Sequence, residues 1–251
     1  MLQLRTEISA LAKNTPSRQN LFMRWHWLRL ISLAAIALSS LDAAGWKRLF
    51  NGKNLDGWEV IGDGVWLVMS NGTLVGERKP PRNQPGSGSP TIARAGYNSW
   101  RDQQSWLYTV RNDFAEFDLH LEFWTRVMGN SGVSIRDPSR AKYAVMFPPD
   151  FTKTPSKLGY EIQINNQYPD PHPTGSIYGF VDAKVGAQKD NEWNAMDIES
   201  RANSIRVKLN GILVAEYPGD PNRPKTGPIG LQLHDQFCVI MFRNIRIREL
   251  H

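Results

Sequence analysis

The sequence predicts an all-β fold, a sandwich or jelly roll of packed antiparallel sheets. Three observations carry that expectation. Apolar residues recur with period two rather than 3.6, most clearly in Phe114 to Arg126, where Phe117, Leu119, Leu121 and Phe123 share one side. Turn signals interrupt every short apolar run, and Ser70-Asn71-Gly72 and Asn210-Gly211 are strong hairpin sequences. Nine Trp and 16 Pro in 251 residues suit a strand- and loop-rich chain better than a helical bundle. A hydrophobic fraction of 41% is sufficient for a packed core. Most of the tryptophans are expected there, as large and well-buried aromatics, although Trp is also a good stacking surface for sugar rings.

The elements follow in order. Trp46 to Phe50 leads through Asn51-Gly52 to a turn-rich segment ending at Trp58. Val65 to Met69 and Thr73 to Gly76 flank the Asn71-Gly72 turn, and a Pro/Gly/Ser-rich loop runs from Arg78 to Pro90. Trp106 to Thr109 reads as a short strand and Phe114 to Arg126 as a long one. Gly129-Asn130-Ser131-Gly132 is expected to turn the chain into a strand from Val133 to Arg136. A loop from Asp137 to Leu158 carries four prolines and no convincing helix. The strand Gly159 to Asn166 follows, then a Pro-rich loop to Gly175. Trp193 to Ser200, Ser204 to Leu209, Ile212 to Glu216, Ile229 to His234 and Val239 to Arg248 complete the set. No internal repeat is present, so residues 45–251 are expected to form one domain.

Residues 1–44 are expected to be a signal peptide. Leu28 to Leu41 is apolar, preceded by Arg24 and Arg29 and followed by the small residues Ala43 and Ala44. It is shorter than the roughly 20 residues that span a bilayer. Met23 would give a more ordinary start, Met-Arg-Trp-His-Trp-Leu. Cys238 is the only cysteine, so no internal disulfide forms and the exported chain suits a bacterial periplasm or outer surface. Removing the five basic and two acidic residues of 1–44 lowers the formal charge from +6 to +3. The remaining charges are interspersed and form no nucleic-acid footprint.

Three strands carry polar groups at period two. Glu161, Gln163 and Asn165 share a face, with Ile162 and Ile164 opposite. Ser134 and Arg136 share another, and Gln232 and His234 a third. Exposed strand faces favour Lys and Thr over Gln and His. Amides, a guanidinium and a carboxylate are well suited to gripping vicinal hydroxyls, so these faces are expected to line one side of a sheet on which an extended sugar lies. His234, beside Asp235, is a candidate general base or metal ligand. Tyr178 and His172 are placed to cap such a site. No His-x-His, His-Glu-x-x-His, Asp-rich calcium loop, nucleophile elbow or phosphate loop occurs.

The Glu161 strand is similar to the E-x-D-x-x-E strand of laminarinase-type β-glucanases with one carboxylate kept. Ordinary glycoside hydrolysis uses two, so a conventional endoglucanase is disfavoured. A wider resemblance spans the chain in order: LFNGKNLDGW (49–58), NSGVSIR (130–136), GYEIQI (159–164), TGSIYG (174–179), EWNAMDI (192–198), LNGILV (209–214), GPIGLQLH (227–234) and FRNIRIREL (242–250). Together these resemble the 3-keto-disaccharide hydrolase family, once called domain of unknown function 1080. The resemblance implies a concanavalin A-like lectin/glucanase jelly roll acting on glycosides oxidised at C3, as hydrolase, lyase or hydratase. A C3 ketone acidifies the C2 proton, so one base, one acid and a hold on the enolate oxygen suffice for β-elimination. On that footing Glu161 or His234 is the base and the other the acid or a metal ligand. Arg136 and Gln163 hold the keto oxygen, and Gln232 and Tyr178 orient the sugar, with Ser134 and Asn165 beside them. A divalent cation on Glu161 and His234 would stabilise the enolate, though no motif requires one. Relatives often carry Asp where this chain has Leu233. The alternative reading is a non-catalytic, lectin-like carbohydrate-binding module.

Overall fold

The computed structural model describes residues 45–78, 103–235 and 238–250. The signal-peptide expectation for 1–44 and most of the loop expected after Arg78 lie outside these residues.

Thirteen strands form two antiparallel sheets among the described residues. The larger sheet runs β11 (Ile212–Tyr217), β10 (Ser204–Leu209), β9 (Asn194–Arg201), β6 (Phe117–Thr125), β13 (Val239–Glu249), β4 (Leu74–Arg78) and β3 (Gly64–Val68), with β1 (Lys47–Arg48) also on β13. The smaller sheet runs β2 (Trp58–Ile61), β5 (Ser105–Thr109), β12 (Ile229–Leu233), β7 (Gly129–Ile135) and β8 (Tyr160–Asn166). Neighbours in each sheet are mostly distant in sequence, the crossed connectivity of a jelly roll.

The core follows from the period-two pattern. Leu119, Leu121 and Phe123 of β6 and Ile240 and Phe242 of β13 are buried from one sheet. Val133 and Ile135 of β7, Ile162 and Ile164 of β8 and Leu231 and Leu233 of β12 are buried from the other. All belong to one cluster, and each buried aliphatic or aromatic side chain contributes about 1.5–3 kcal/mol.

Two expectations are corrected. Gly129-Asn130-Ser131-Gly132 is the first half of strand β7, not a turn; the chain reverses one step earlier, at Met128, whose φ is 64°. Small residues occur there because the strand is crowded. A Cβ on Gly129 would sit 1.9 Å from Oγ1 of Thr125. The loop from Asp137 to Leu158 also contains two one-turn helices, α1 (Lys142–Val145) and α2 (Pro155–Leu158), with a 3-10 turn at Phe151–Lys153 between them. Four residues are too few to show helical periodicity. What holds α1 down is Asp137, whose carboxylate accepts from the Ala141 and Ser139 backbone N–H groups (2.8 and 2.9 Å). Ala141 and Ala144 then pack on Trp106 and Tyr108 of β5, forming a second small core on the far side of the smaller sheet.

Candidate functional site

The register of the smaller sheet decides which side chains share its outer face. Ser134 lies opposite Glu161, Gly132 opposite Gln163 and Asn130 opposite Asn165. Gly230 lies opposite Ser134, and Gln232 opposite Trp106. The insertion carrying α1 and α2 covers Trp106 and Tyr108, and what stays open is a cavity of about 250 Å³. Its lining includes Glu161, Gln163, Gln232, His234, Tyr178 and Asn130. The extended groove expected for the sugar is thus a pocket, because the insertion occupies the rest of the face.

Glu161 is 5% exposed and is the one acid among the described residues that line this cavity. Burial pushes its carboxyl up to about 8, and the negative neighbours Asp170 and Asp137 add to the rise, while Gln232 partly offsets it. At neutral pH it is mostly protonated, a neutral acid able to donate. Its side chain lies flat across Gly132: a Cβ there would stand 2.7 Å from Oε1 of Glu161 and 3.0 Å from its Cγ. Gly132 is therefore needed for the carboxyl's position rather than for its own backbone.

The amides around it differ in readiness. Gln163 Nε2 donates to Oδ1 of Asn130 at 3.2 Å, which fixes both side chains. Gln232 is 1% exposed and near enough to Glu161 to interact with its carboxyl, though without a well-aligned hydrogen bond, and Nδ2 of Asn130 has no hydrogen-bond partner among the described residues. Buried amides left unpaired cost about 1–3 kcal/mol each unless something else bonds them. These atoms face the cavity's residues and suit a polyhydroxylated guest.

Tyr178 is brought over Glu161 by an extra strip of backbone on the edge of β8. The Tyr178 N–H donates to Glu161 O and the Gln163 N–H to Ser176 O, both at 2.9 Å. Gly175 permits the bend, with φ of 90°. The Tyr178 hydroxyl donates to Asp170 Oδ2 at 3.1 Å, and its ring lies 4.3 Å from that of His172. Burial and Asp170 hold that phenol up at about 12, so it stays protonated. His234 follows β12, half-buried, with Nδ1 3.3 Å from Oδ2 of Asp235 and its ring 5.6 Å from that of Tyr168.

Three sequence candidates are engaged elsewhere. Arg136 is 1% exposed and its Nη2 donates to Ala115 O (3.0 Å) and Arg201 O (2.9 Å). Its φ of 60° breaks the strand's alternation, so it does not continue the face of Ser134 and does not line the cavity. Ser134 is fully buried and shares the hydroxyl of Tyr108, which also donates to Asp137 Oδ2 at 3.0 Å. Asn165 donates both amide hydrogens to Asp170 O and His172 O and accepts from the Tyr168 N–H, pinning the Pro-rich loop. Sequence reasoning missed Asn130, Gln104, Phe151 and Lys157, which also line the cavity. Asn130 was hidden by the turn assignment, Gln104 by its place just before β5, and Phe151 and Lys157 by the insertion, which has no period-two pattern to place them. Among the described residues no group of three or more His, Cys, Asp or Glu side chains is arranged to hold a metal ion.

A family model described as a 3-keto-alpha-glucoside-1,2-lyase-like domain matches residues 45–248. The chain belongs to that family. Solved structures share its fold. A putative glycosyl hydrolase from Parabacteroides distasonis is 27% identical, with a TM-score of 0.57, over 82% of this chain and 99% of that one. A second from the same organism is 20% identical, with a TM-score of 0.61, over 84% of this chain and 97% of that one. A Bacillus subtilis protein with a galectin-like fold, 10% identical with a TM-score of 0.53 over 81% of this chain and 94% of that one, shares the fold alone. No curated protein matches this chain. The jelly-roll expectation therefore holds, as does the family resemblance drawn from the eight sequence segments.

Proposed function

We propose that this chain cleaves 3-keto-glycosides by β-elimination, with water adding back to give net hydrolysis. The observation that carries this reading is Glu161: a buried and largely protonated carboxyl among amides, with His234 in the same cavity and no second carboxyl lining it among the described residues. Two-carboxylate hydrolysis needs a pair flanking the bond. Elimination next to a ketone needs one acid and one base.

In this mechanism His234 removes the C2 proton, and the C2–H electrons move toward the C3 oxygen as an enolate. Gln163, Asn130 and Gln232 supply the amide N–H groups that hold that oxygen. The enolate then re-forms the C3 carbonyl, a C1–C2 double bond appears, and the C1–O bond breaks. Glu161 gives its proton to the departing oxygen. Water adding across the double bond, oxygen to C1 and hydrogen to C2, completes hydrolysis. No helix among the described residues is long and apolar enough to cross a membrane. Export to a bacterial periplasm or outer surface rests on the apolar stretch Leu28–Leu41.

The test is release of 4-nitrophenol from its 3-keto-glucoside by the purified protein. Release from the oxidised glycoside and none from the unoxidised one is expected. Sugar binding without release would make the chain a lectin-like module. A second prediction concerns position alone. Gly132 has ordinary strand backbone, and the nearest obstacle to a Cβ is the movable end of Glu161. Gly132→Ala should fold normally, displace the carboxyl and cut kcat about 10- to 100-fold; normal turnover would show that the carboxyl's place over Gly132 is immaterial.

A further inference from the structure

The floor of the Glu161 cavity is polar, and its rim carries one exposed aromatic ring. Gln104, Asn130, Glu161, Gln163 and Gln232 are all at least nine-tenths buried. Phe151 lines the same cavity yet is 54% exposed, on the insertion that also exposes Met146 and Phe147. A volume of about 250 Å³ lies below the roughly 300–1,000 Å³ of pockets that enclose drug-sized ligands, so one sugar ring fills it. Whatever C1 carries must then leave past the rim.

The aromatic groups that could meet that substituent are few. Trp106, on the same face, is fully buried beneath α1, and its indole N–H is given to Oε1 of Gln104 at 3.0 Å. Tyr178 is tied to Asp170. Among the described residues Phe151 has no such tie, and it both lines the polar cavity and is more than half exposed. Lys157, exposed on α2, lines the same mouth and brings an ammonium to it.

We infer that Phe151 is the floor of an aglycone subsite and selects planar aromatic aglycones, joined through a phenolic oxygen, over small alkyl ones. The inference rests on the cleavage reading only for the identity of the ring bound inside. An aromatic face against an aryl group gains about 0.5–1.5 kcal/mol beyond area burial, which corresponds to a few-fold to tenfold in affinity. The ammonium of Lys157 beside it favours an oxygen that gains negative charge as it departs.

Affinity is the right readout, because a phenol is also a better leaving group than methanol. Calorimetry on the Glu161→Gln protein, with 4-nitrophenyl and methyl 3-keto-glucosides, removes that confusion. The aryl glycoside should bind more tightly. Adding Phe151→Ala should reduce the aryl-to-methyl affinity ratio by about tenfold, and Phe151→Tyr should restore it. Equal weakening of both ligands, or an unaltered ratio, would overturn the subsite. A ratio that depends on Phe151, in a protein whose Glu161 form releases no phenol, would keep the subsite and reject the cleavage.

Discussion

Replacing Glu161 by Gln is expected to cut turnover sharply and, in the same protein, to raise stability by an amount that grows with pH. The sign follows from the raised carboxyl. In the unfolded chain a glutamate ionises near 4.5, whereas in the folded protein burial holds it protonated to about 8. Between those values the unfolded state has released a proton that the folded state still holds, so stability falls as pH rises through this window. Below it both states are protonated and the group costs nothing. Above it both are ionised and the full cost remains. Gln has the same shape and no charge, so it escapes the cost. At about 1.4 kcal/mol per pH unit the difference reaches the order of 3–5 kcal/mol at pH 8. For a domain of this size that is a Tm gap of about 10 °C, closing to near zero at pH 4.5. Thermal unfolding of both proteins across that range checks it, and a gap that does not depend on pH would mean that the carboxyl is not held protonated by burial. The catalytic half of the prediction uses the same proton. If Glu161 donates it, Glu161→Gln should lose about 10²–10⁴-fold in kcat, and wild-type kcat should fall as pH rises through about 8.

How far the sequence already contained this site can be judged residue by residue. Strands with one apolar face were legible: β6, β9 and β10 bury alternate residues against a single core, and β8 and β12, though buried on both faces, still alternate apolar with polar or small residues. That trace also put Glu161 and Gln163 on one face and Gln232 on a neighbouring strand's polar face. It failed in β7, whose first four residues, Gly129-Asn130-Ser131-Gly132, carry no apolar alternation. All of β7 is buried, one face on the core and the other beneath Glu161 and its neighbours, so its small residues read as a turn. It failed also at the insertion, which is shaped by Asp137 capping and by Ala141 and Ala144 against Trp106, none of which repeats in sequence. The change from groove to pocket, and with it Phe151 and Lys157, therefore came from tertiary contacts alone. Arg136 failed for a third reason. Period-two logic ends where the strand ends, and a residue with φ of 60° no longer obeys it.

Arg136 leads to the second large effect, one of folding. Its guanidinium reaches from the end of β7 in the smaller sheet to Ala115 O, before β6, and Arg201 O, at the end of β9. Since β6 and β9 are paired in the larger sheet, the side chain joins the two layers at one end of the sandwich. The packing allows no substitute. A Cβ on Gly227 would fall 2.5 Å from Cα of Arg136, so the β7 end and the Gly227 backbone are in direct contact, and the Arg136 N–H donates to Pro228 O at 3.2 Å. Arg136→Ala leaves both carbonyls, at a half-exposed end of the sandwich, without this donor and empties the space that the buried side chain fills. Two lost hydrogen bonds from a charged donor cost about 3–5 kcal/mol, a fall in Tm of about 6–15 °C. Arg136→Lys should recover little, because an ammonium on a flexible stem does not reproduce the planar fork. If Arg136 instead held the keto oxygen, Arg136→Ala would melt at the wild-type temperature and fail in kcat. Differential scanning calorimetry beside steady-state kinetics, taken well below the lowered Tm, separates the two outcomes: the clamp shows in Tm, and a stable but inactive Arg136→Ala would return Arg136 to the mechanism.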